Sequence, residues 1–572
     1  MRIEDYGLIG DMQAAALVGR DGTVDWLCLP RFDSASCFSA LVGDERHGRW
    51  VLGPAGEVRS SSRRYRPGTL VLETDFETAD GTVRVIDFMP RRGAGPPRLM
   101  RIVEGLKGRV PMRMELSLRP DYGSIVPWVE PAPDGVIATA GPDAFRLSTP
   151  LPLHVQDGTV SAEFVAVDGA RERFTLTWHL SYAETPPVED ADSALARTEA
   201  WWQQWSGRCA YQGPYREAVL TSLIALKAMT DETTGAVIAA PTTSLPEDLG
   251  GVRNWDYRYC WLRDSVLALQ ALLAAGYTDE ALGFRDFLLR VGTGDPTKIQ
   301  IMYGIRGERR LTEFELDELP GYEGSKPVRV GNAASEQFQL DVYGEVMGVA
   351  FIGVEALGRI EERLWPRWRT VVEHVETIWR EPDDGIWETR GQRQHFTYSK
   401  VMAWVVFDRA VRIAERFELE AEGRPRPSRR DDSAFVKSRS EWFRLGARQA
   451  LGSGREEDSA PGPADDSYSH KACAGLASGG GPGQRACWRW TRTARIGASS
   501  RVSCPERGGW ARTGTWPAGS GDLVWAFSSR ALSALRLFSL ACVVMLSASA
   551  GAITPRARQS RNAGSVLNIV FG

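Results

Sequence analysis

Alternation of apolar and polar positions dominates the first third of the chain. Runs at 14–18, 24–29, 83–88 and 174–180 alternate with a period of two, which predicts half-buried strands. Five Asp-Gly pairs stand between runs of this kind: Asp21-Gly22, Asp80-Gly81, Asp134-Gly135, Asp157-Gly158 and Asp168-Gly169. Glycine accepts the positive φ of a tight hairpin turn and aspartate tolerates it, so each pair predicts a chain reversal. Many antiparallel strands with one apolar face each must bury those faces together. A β-sandwich over residues 1–190 is the expected packing.

The period then lengthens. Residues 192–206 follow an N-cap-like Asp192 and put Leu195, Trp202 and Trp205 on one stripe, which predicts a linker helix within 191–214. Further helices are predicted at 215–229, 264–275, 279–291, 336–354, 368–379 and 397–417. The connections 230–262 and 292–335 are long, and long loops on a helical scaffold are where function concentrates. Helices alternating with long and short connections suggest a toroid of paired helices. The expected class is α+β multidomain, a sandwich followed by such a toroid over residues 215–420.

Beyond Glu420 the periodicity stops and the charge balance reverses. Residues 421–572 hold 22 Lys and Arg against 11 Asp and Glu, whereas residues 1–420 hold 47 against 62. The Arg-, Gly- and Ser-rich composition and its abrupt onset read as a frame-shifted continuation, not as the native end of the domain before it. The uncharged stretch 537–553 is short for a membrane span and rich in small residues, so a membrane is not an expected partner.

The first residues show no basic segment leading into an apolar one, and the eight cysteines form no CxxC pair. A cytoplasmic protein with reduced thiols is expected. The six histidines are dispersed and no phosphate-binding glycine loop is present, so no metal, nucleotide or other cofactor is expected. Nothing points to a nucleic-acid partner, and self-association stays open.

Two segments concentrate aromatic rings and charge. Residues 254–264, NWDYRYCWLRD, run into a predicted helix. Asp264 there could simply cap that helix, but flat apolar faces beside Arg and Asp also match a sugar ring, whose C–H faces stack while its hydroxyls are ligated. Residues 382–390, PDDGIWETR, place Glu388 beside Trp387, ahead of His395 and Lys400. A carboxyl shielded by an indole holds its proton more tightly, as a general acid must.

The opening IEDYGLIGDMQAAALVGRDGTVDWLCLPRFDS, together with NWDYRYCWLRDS, LPGYEGSKPVRVGN and DGIWETRG in order, resembles glycoside hydrolase family 15, the glucoamylase and bacterial trehalase-like group. The resemblance covers residues 1–420. It implies a β-sandwich on an (α/α)6 barrel, incomplete here because residues 215–420 supply only its first half, with a blind pocket for a non-reducing glucose and hydrolysis with inversion. By position, Tyr257, Trp261, Arg263 and Asp264 would hold the glucose, Trp387 would pack beside the scissile bond and Glu388 would be the general acid. Arg329, Asn332, Gln337 and Asp341 would line the pocket, with Lys400 nearby. Glu336 and Glu345 read as helix-surface charges.

Inversion also needs a second carboxylate, about 6.5–9.5 Å from the acid, to deprotonate water. No stretch after residue 420 resembles the family's base-bearing loop. Glu456-Glu457 is the nearest by letters, but its surroundings match nothing. The expected substrate is a small α-glucoside, trehalose ahead of a maltooligosaccharide, with turnover impaired. Two alternatives stay open. One is a phosphorylase, in which phosphate held by Lys400 and Arg390 replaces water. The other is an inactive, sugar-binding product.

Overall fold

The computed structural model describes residues 1–292, 295–360, 364–386, 391–417 and 419. Fifteen strands between Tyr6 and Leu180 form one antiparallel system that doubles over on itself. The long strand Arg98–Ser117 makes the fold-over. Its first half pairs with Gly81–Phe88 and Arg171–Leu180, and its second half with Arg49–Pro54 and Thr159–Val167. Glycine is required where it passes from one layer to the other. A Cβ on Gly105 would lie 2.0 Å from the Val167 carbonyl oxygen, and one on Gly108 (φ +77°) 2.2 Å from that of Asp80.

The core between the layers is apolar, with Val18, Trp50 and Leu52 meeting Phe76, Val85, Phe145 and Leu176. All five Asp-Gly glycines have positive φ. Four of these turns join strands that pair with each other, and the fifth, Asp168-Gly169, carries the chain across to the other layer. The antiparallel sandwich and the helical region after it are as the sequence predicts.

Among the described residues seven α-helices follow: α1 Ala191–Gly207, α2 Arg216–Ala228, α3 Leu262–Ala274, α4 Thr278–Val291, α5 Asp341–Leu357, α6 Trp365–Ile378 and α7 Thr397–Phe417. Helix α1 has two apolar ends. Ala191, Ala194 and Leu195 cover Val71, Phe88 and Met100 on the outer face of the sandwich. Trp202 and Trp205 pack with Leu223 and Tyr277 of the helical region, the Trp205 and Tyr277 rings stacking at 4.2 Å. Its N-cap is Asp190, whose carboxylate accepts from the Ser193 N–H at 2.9 Å, and not Asp192. Asp192 is drawn instead to Arg171 and Arg173 on the neighbouring strand, at 2.6 Å each.

Helix α5 also starts later than the apolar period predicts. Residues 333–336 form a 3-10 turn, and the N–H groups of Phe338 and Leu340 bond to the carboxylates of Asp384 (2.7 Å) and Asp383 (3.0 Å). Tertiary acceptors thus replace the helical ones. Helix α5 packs against α3, α4, α6 and α7, and its N-terminus faces that of α3 through Arg263. Residues 421–572, including Glu456 and Glu457, lie outside the described residues. Among the described residues no helix is long and apolar enough to cross a membrane.

Candidate active site

The segment 254–264 is pinned from two sides before it enters α3. Arg258 is fully buried and forms a two-pronged pair with Asp256, at 2.9 and 2.7 Å. Its remaining N–H groups donate to the Ser34 carbonyl (2.8 Å) and the Tyr122 hydroxyl (2.9 Å) of the sandwich. On the other side Asp256 accepts from the Gly331 N–H at 3.1 Å, and the Asn332 amide donates to the Asp256 carbonyl at 3.2 Å. Fastened in this way, Tyr257 and Trp261 hold their rings 6.3 Å apart, tilted by 45°. The Trp261 indole N–H is buried without a protein acceptor.

Arg263 and Asp264 occupy the first turn of α3. The cap position is Trp261, so Asp264 is not the cap that its local sequence allows. It is buried, and desolvation raises its carboxyl above the usual range while the Arg263 charge opposes the rise. Arg263 donates to Gln339 and to Asp341, both at 3.3 Å, and Gln339 in turn donates to Gln337 at 3.0 Å. Asp341 is buried, and one of its carboxylate oxygens has no hydrogen-bond partner. Its carboxyl is raised too, by burial first, with Arg263 opposing and Asp383 adding to it.

One turn further along α5 lies Glu345. It is 6% exposed, so it is not the surface charge that its helical position suggested; Glu336 is exposed. The face of α5 that carries Asp341 and Glu345 is covered by α3 and by the start of α7, and the Tyr398 hydroxyl donates to Glu345 at 3.0 Å.

Asp383 and Asp384 close the other wall. Asp383 and Gln394 exchange two backbone hydrogen bonds of 2.9 Å, which fixes both ends of the loop between them. The free oxygen of Asp383 is buried without a partner. Lys400 donates to the Glu381 carbonyl, and burial lowers its pKa while Asp383 opposes the fall.

The structure therefore brings Arg263, Asp264, Gln337 and Asp341 to one place, with Tyr257 and Trp261 on the same segment. Arg329 and Asn332 act otherwise. Arg329 lies 4.7 Å over the Trp255 ring and donates to the Val252 carbonyl at 2.8 Å. Asn332 is fully buried and caps the turn at Ala334, at 3.0 Å. Both fasten loops. Trp387, Glu388 and Arg390 lie outside the described residues. Sequence reasoning passed over Gln339, Asp383 and Tyr398; the four-residue spacing of Asp341 and Glu345 was the one available signal for a shared helix face.

Among the described residues no group of three His, Cys, Asp or Glu side chains is placed to hold a metal ion. Two surface hollows of about 500 and 800 Å³ lie on the sandwich, around Trp128 and around Leu151, and neither includes any residue of this cluster.

Two family models match the chain. Glycosyl hydrolases family 15 matches residues 213–496, a span that reaches beyond residue 420, and the trehalase-like N-terminal domain matches residues 1–189. A trehalase of Mycolicibacterium smegmatis is 38% identical over 443 residues, covering 72% of this chain and 66% of that protein. A trehalase of Mycobacterium tuberculosis is 37% identical over 447 residues, covering 72% and 65%. A trehalase of Thermoplasma volcanium is 33% identical over 435 residues, covering 73% and 68%. The match to the two mycobacterial proteins thus spans slightly less than two thirds of their length.

Proposed function

The chain belongs to glycoside hydrolase family 15, and from that premise we propose that it hydrolyses α-glucosidic bonds at a non-reducing glucose with inversion, trehalose being its substrate. The observation that carries this reading is the meeting of Arg263 and Asp264 with Gln337, Gln339 and Asp341 beside Tyr257 and Trp261. A glucose ring offers flat C–H faces to the aromatic rings and vicinal hydroxyls to a carboxylate and a guanidinium together. Asp264 accepts from those hydroxyls and Arg263 donates to them. The names of the relatives favour trehalose over maltooligosaccharides.

Glu388 gives its proton to the leaving oxygen in this reading, and Trp387 shields it from water. General acid catalysis is worth typically 10²–10⁴-fold, so Glu388→Gln should lower glucose release by about that factor at an unchanged melting temperature. The base that activates water has no carboxylate in a fitting sequence context, so turnover by this chain is expected to fall well below an ordinary enzyme's value of about 10 s⁻¹. The experiment compares glucose release from trehalose, maltose and soluble starch by the purified full chain, with and without phosphate, and follows the anomer formed by NMR. Equal rates on starch would remove the trehalase assignment. Dependence on phosphate would replace hydrolysis by phosphorolysis. Ordinary turnover would require a base outside the described residues.

A further inference from the structure

Glu345 is a buried carboxyl that the proposed reaction does not use. It projects from α5 one turn after Asp341, and among the described residues its hydrogen bond comes from Tyr398 in the first turn of α7, at 3.0 Å. Tyr398 is 39% exposed, so it links a buried acid to the accessible side of the cluster. Asp341 on its own helix, Tyr398 on α7, and Arg263 and Asp264 on α3 act most strongly on Glu345. Among the described residues, three buried carboxyls therefore lie about the Arg263 guanidinium. The guanidinium is directed at Asp341, 3.3 Å away, and no hydrogen bond to Glu345 accompanies it.

Three anions cannot be held around one cation out of water, because desolvation and mutual repulsion favour a proton on at least one of them. Glu345 is the natural holder. Asp341 takes the Arg263 bond, and Asp264 sits in the first turn of α3, where the helix N-terminus favours an anion. Glu345 has neither, and burial followed by the Asp341 charge pushes its pKa up to about 8.

We propose that Glu345 is a positioning residue of the sugar site, a neutral carboxylic acid that tethers the Tyr398 phenol and leaves Arg263 to Asp341 and Asp264. The inference rests on the sugar-site reading above. With Glu345 neutral, Arg263 keeps the orientation that presents it and Asp264 to sugar hydroxyls. With Glu345 ionised, a further negative charge competes for the guanidinium and pulls it along α5. Only the neutral form is then competent, so apparent affinity falls in proportion to the fraction still protonated.

The test is calorimetric titration of the full chain with trehalose at several values between about pH 6 and about pH 9. For a group titrating near 8, wild-type affinity should fall roughly tenfold by about pH 9. Glu345→Gln carries no titratable proton there and should lose that fall. The Tyr398 bond stabilises the ionised form, so Tyr398→Phe should move the midpoint of the fall upward.

Thermal unfolding supplies a readout independent of sugar. A carboxyl whose pKa is higher in the fold than in the unfolded chain contributes stability at low pH, which is lost as pH rises between the two values. The melting temperature of Glu345→Gln should therefore gain on wild type from about pH 5 to about pH 8 and run parallel above that. Wild-type binding that is flat with pH, or that falls equally in Glu345→Gln, overturns the inference and leaves the sugar site standing. No trehalose binding at any pH overturns both. If Glu345→Gln does not fold, the midpoint in Tyr398→Phe decides, and an unmoved midpoint overturns the inference.

Discussion

In the sandwich, Arg101 and Asp87 are both fully buried, and the guanidinium is consumed by its surroundings. It donates to Asp87 at 2.7 Å, to the Trp50 carbonyl at 2.9 Å and to the Gly22 carbonyl at 2.6 Å. One cation meets one anion, and its other N–H groups tie two strands to the Asp21-Gly22 turn. At the meeting of α3, α5 and α7 the proportion is reversed: Asp264, Asp341 and Glu345 crowd around Arg263, and Asp341 keeps an oxygen without a partner. A cation matched by one anion holds a fold together, although Asp87 too keeps one oxygen without a partner. An excess of buried acceptors is costly to a fold and useful to a ligand that brings hydroxyl groups.

The comparison breaks if removing the sandwich cation costs little. Arg101→Ala leaves Asp87 buried and unpaired and should lower unfolding free energy by about 3–5 kcal/mol, read by urea denaturation. The sugar affinity of the molecules that remain folded should not move. The opposite balance is expected in the cluster. Asp264→Asn removes a buried charge, so its urea midpoint should stay level or rise, while trehalose affinity falls by about 10- to 100-fold, the worth of a hydrogen bond to a charged group. A loss of stability there would mean that the acids hold the fold after all.

The smallest effect concerns backbone packing against α4. Gly235 has φ +78°, and a Cβ on it would lie 2.3 Å from the Gly283 carbonyl oxygen of α4. Gly235→Ala should cost about 1–3 kcal/mol in the urea experiment with affinity unchanged. A change in affinity would show that α4 and the site are coupled.

What was legible in the sequence follows from the range of the interactions involved. The Asp-Gly reversals and the strands beside them depend on neighbours within a few residues, and the structure has them where the period and the turns put them. Asp190 and Asp192 show the limit. Both can cap a helix, and the choice between them was made by Arg171 and Arg173, about twenty residues upstream. Nothing local to Asp383 and Asp384 announces that their carboxylates will accept from Leu340 and Phe338 respectively. Glu345 on an amphipathic helix reads as solvated until α3 and α7 cover that face. Arg263 and Asp264 were legible because aromatic residues crowd the same short segment. The partners of Arg263, Gln339 and Asp341, lie more than seventy residues away.

Arg258 carries a consequence for how such proteins can be recombined. Its guanidinium bonds to Ser34 and Tyr122 of the sandwich, lies 3.6 Å from the Cys28 sulfur, and is paired with Asp256 on the segment that leads to Arg263. The Trp26 indole makes a second tie, to the Pro241 carbonyl at 2.8 Å. The linker helix offers an inviting crossover for chimeras between relatives. A foreign sandwich joined there would have to present a carbonyl, a phenol and an indole in matching positions, or leave a buried cation only half satisfied. The sandwich and the helical region are therefore expected to be inherited as one unit, and chimeras that exchange these three contacts together with the domain should outperform those that do not.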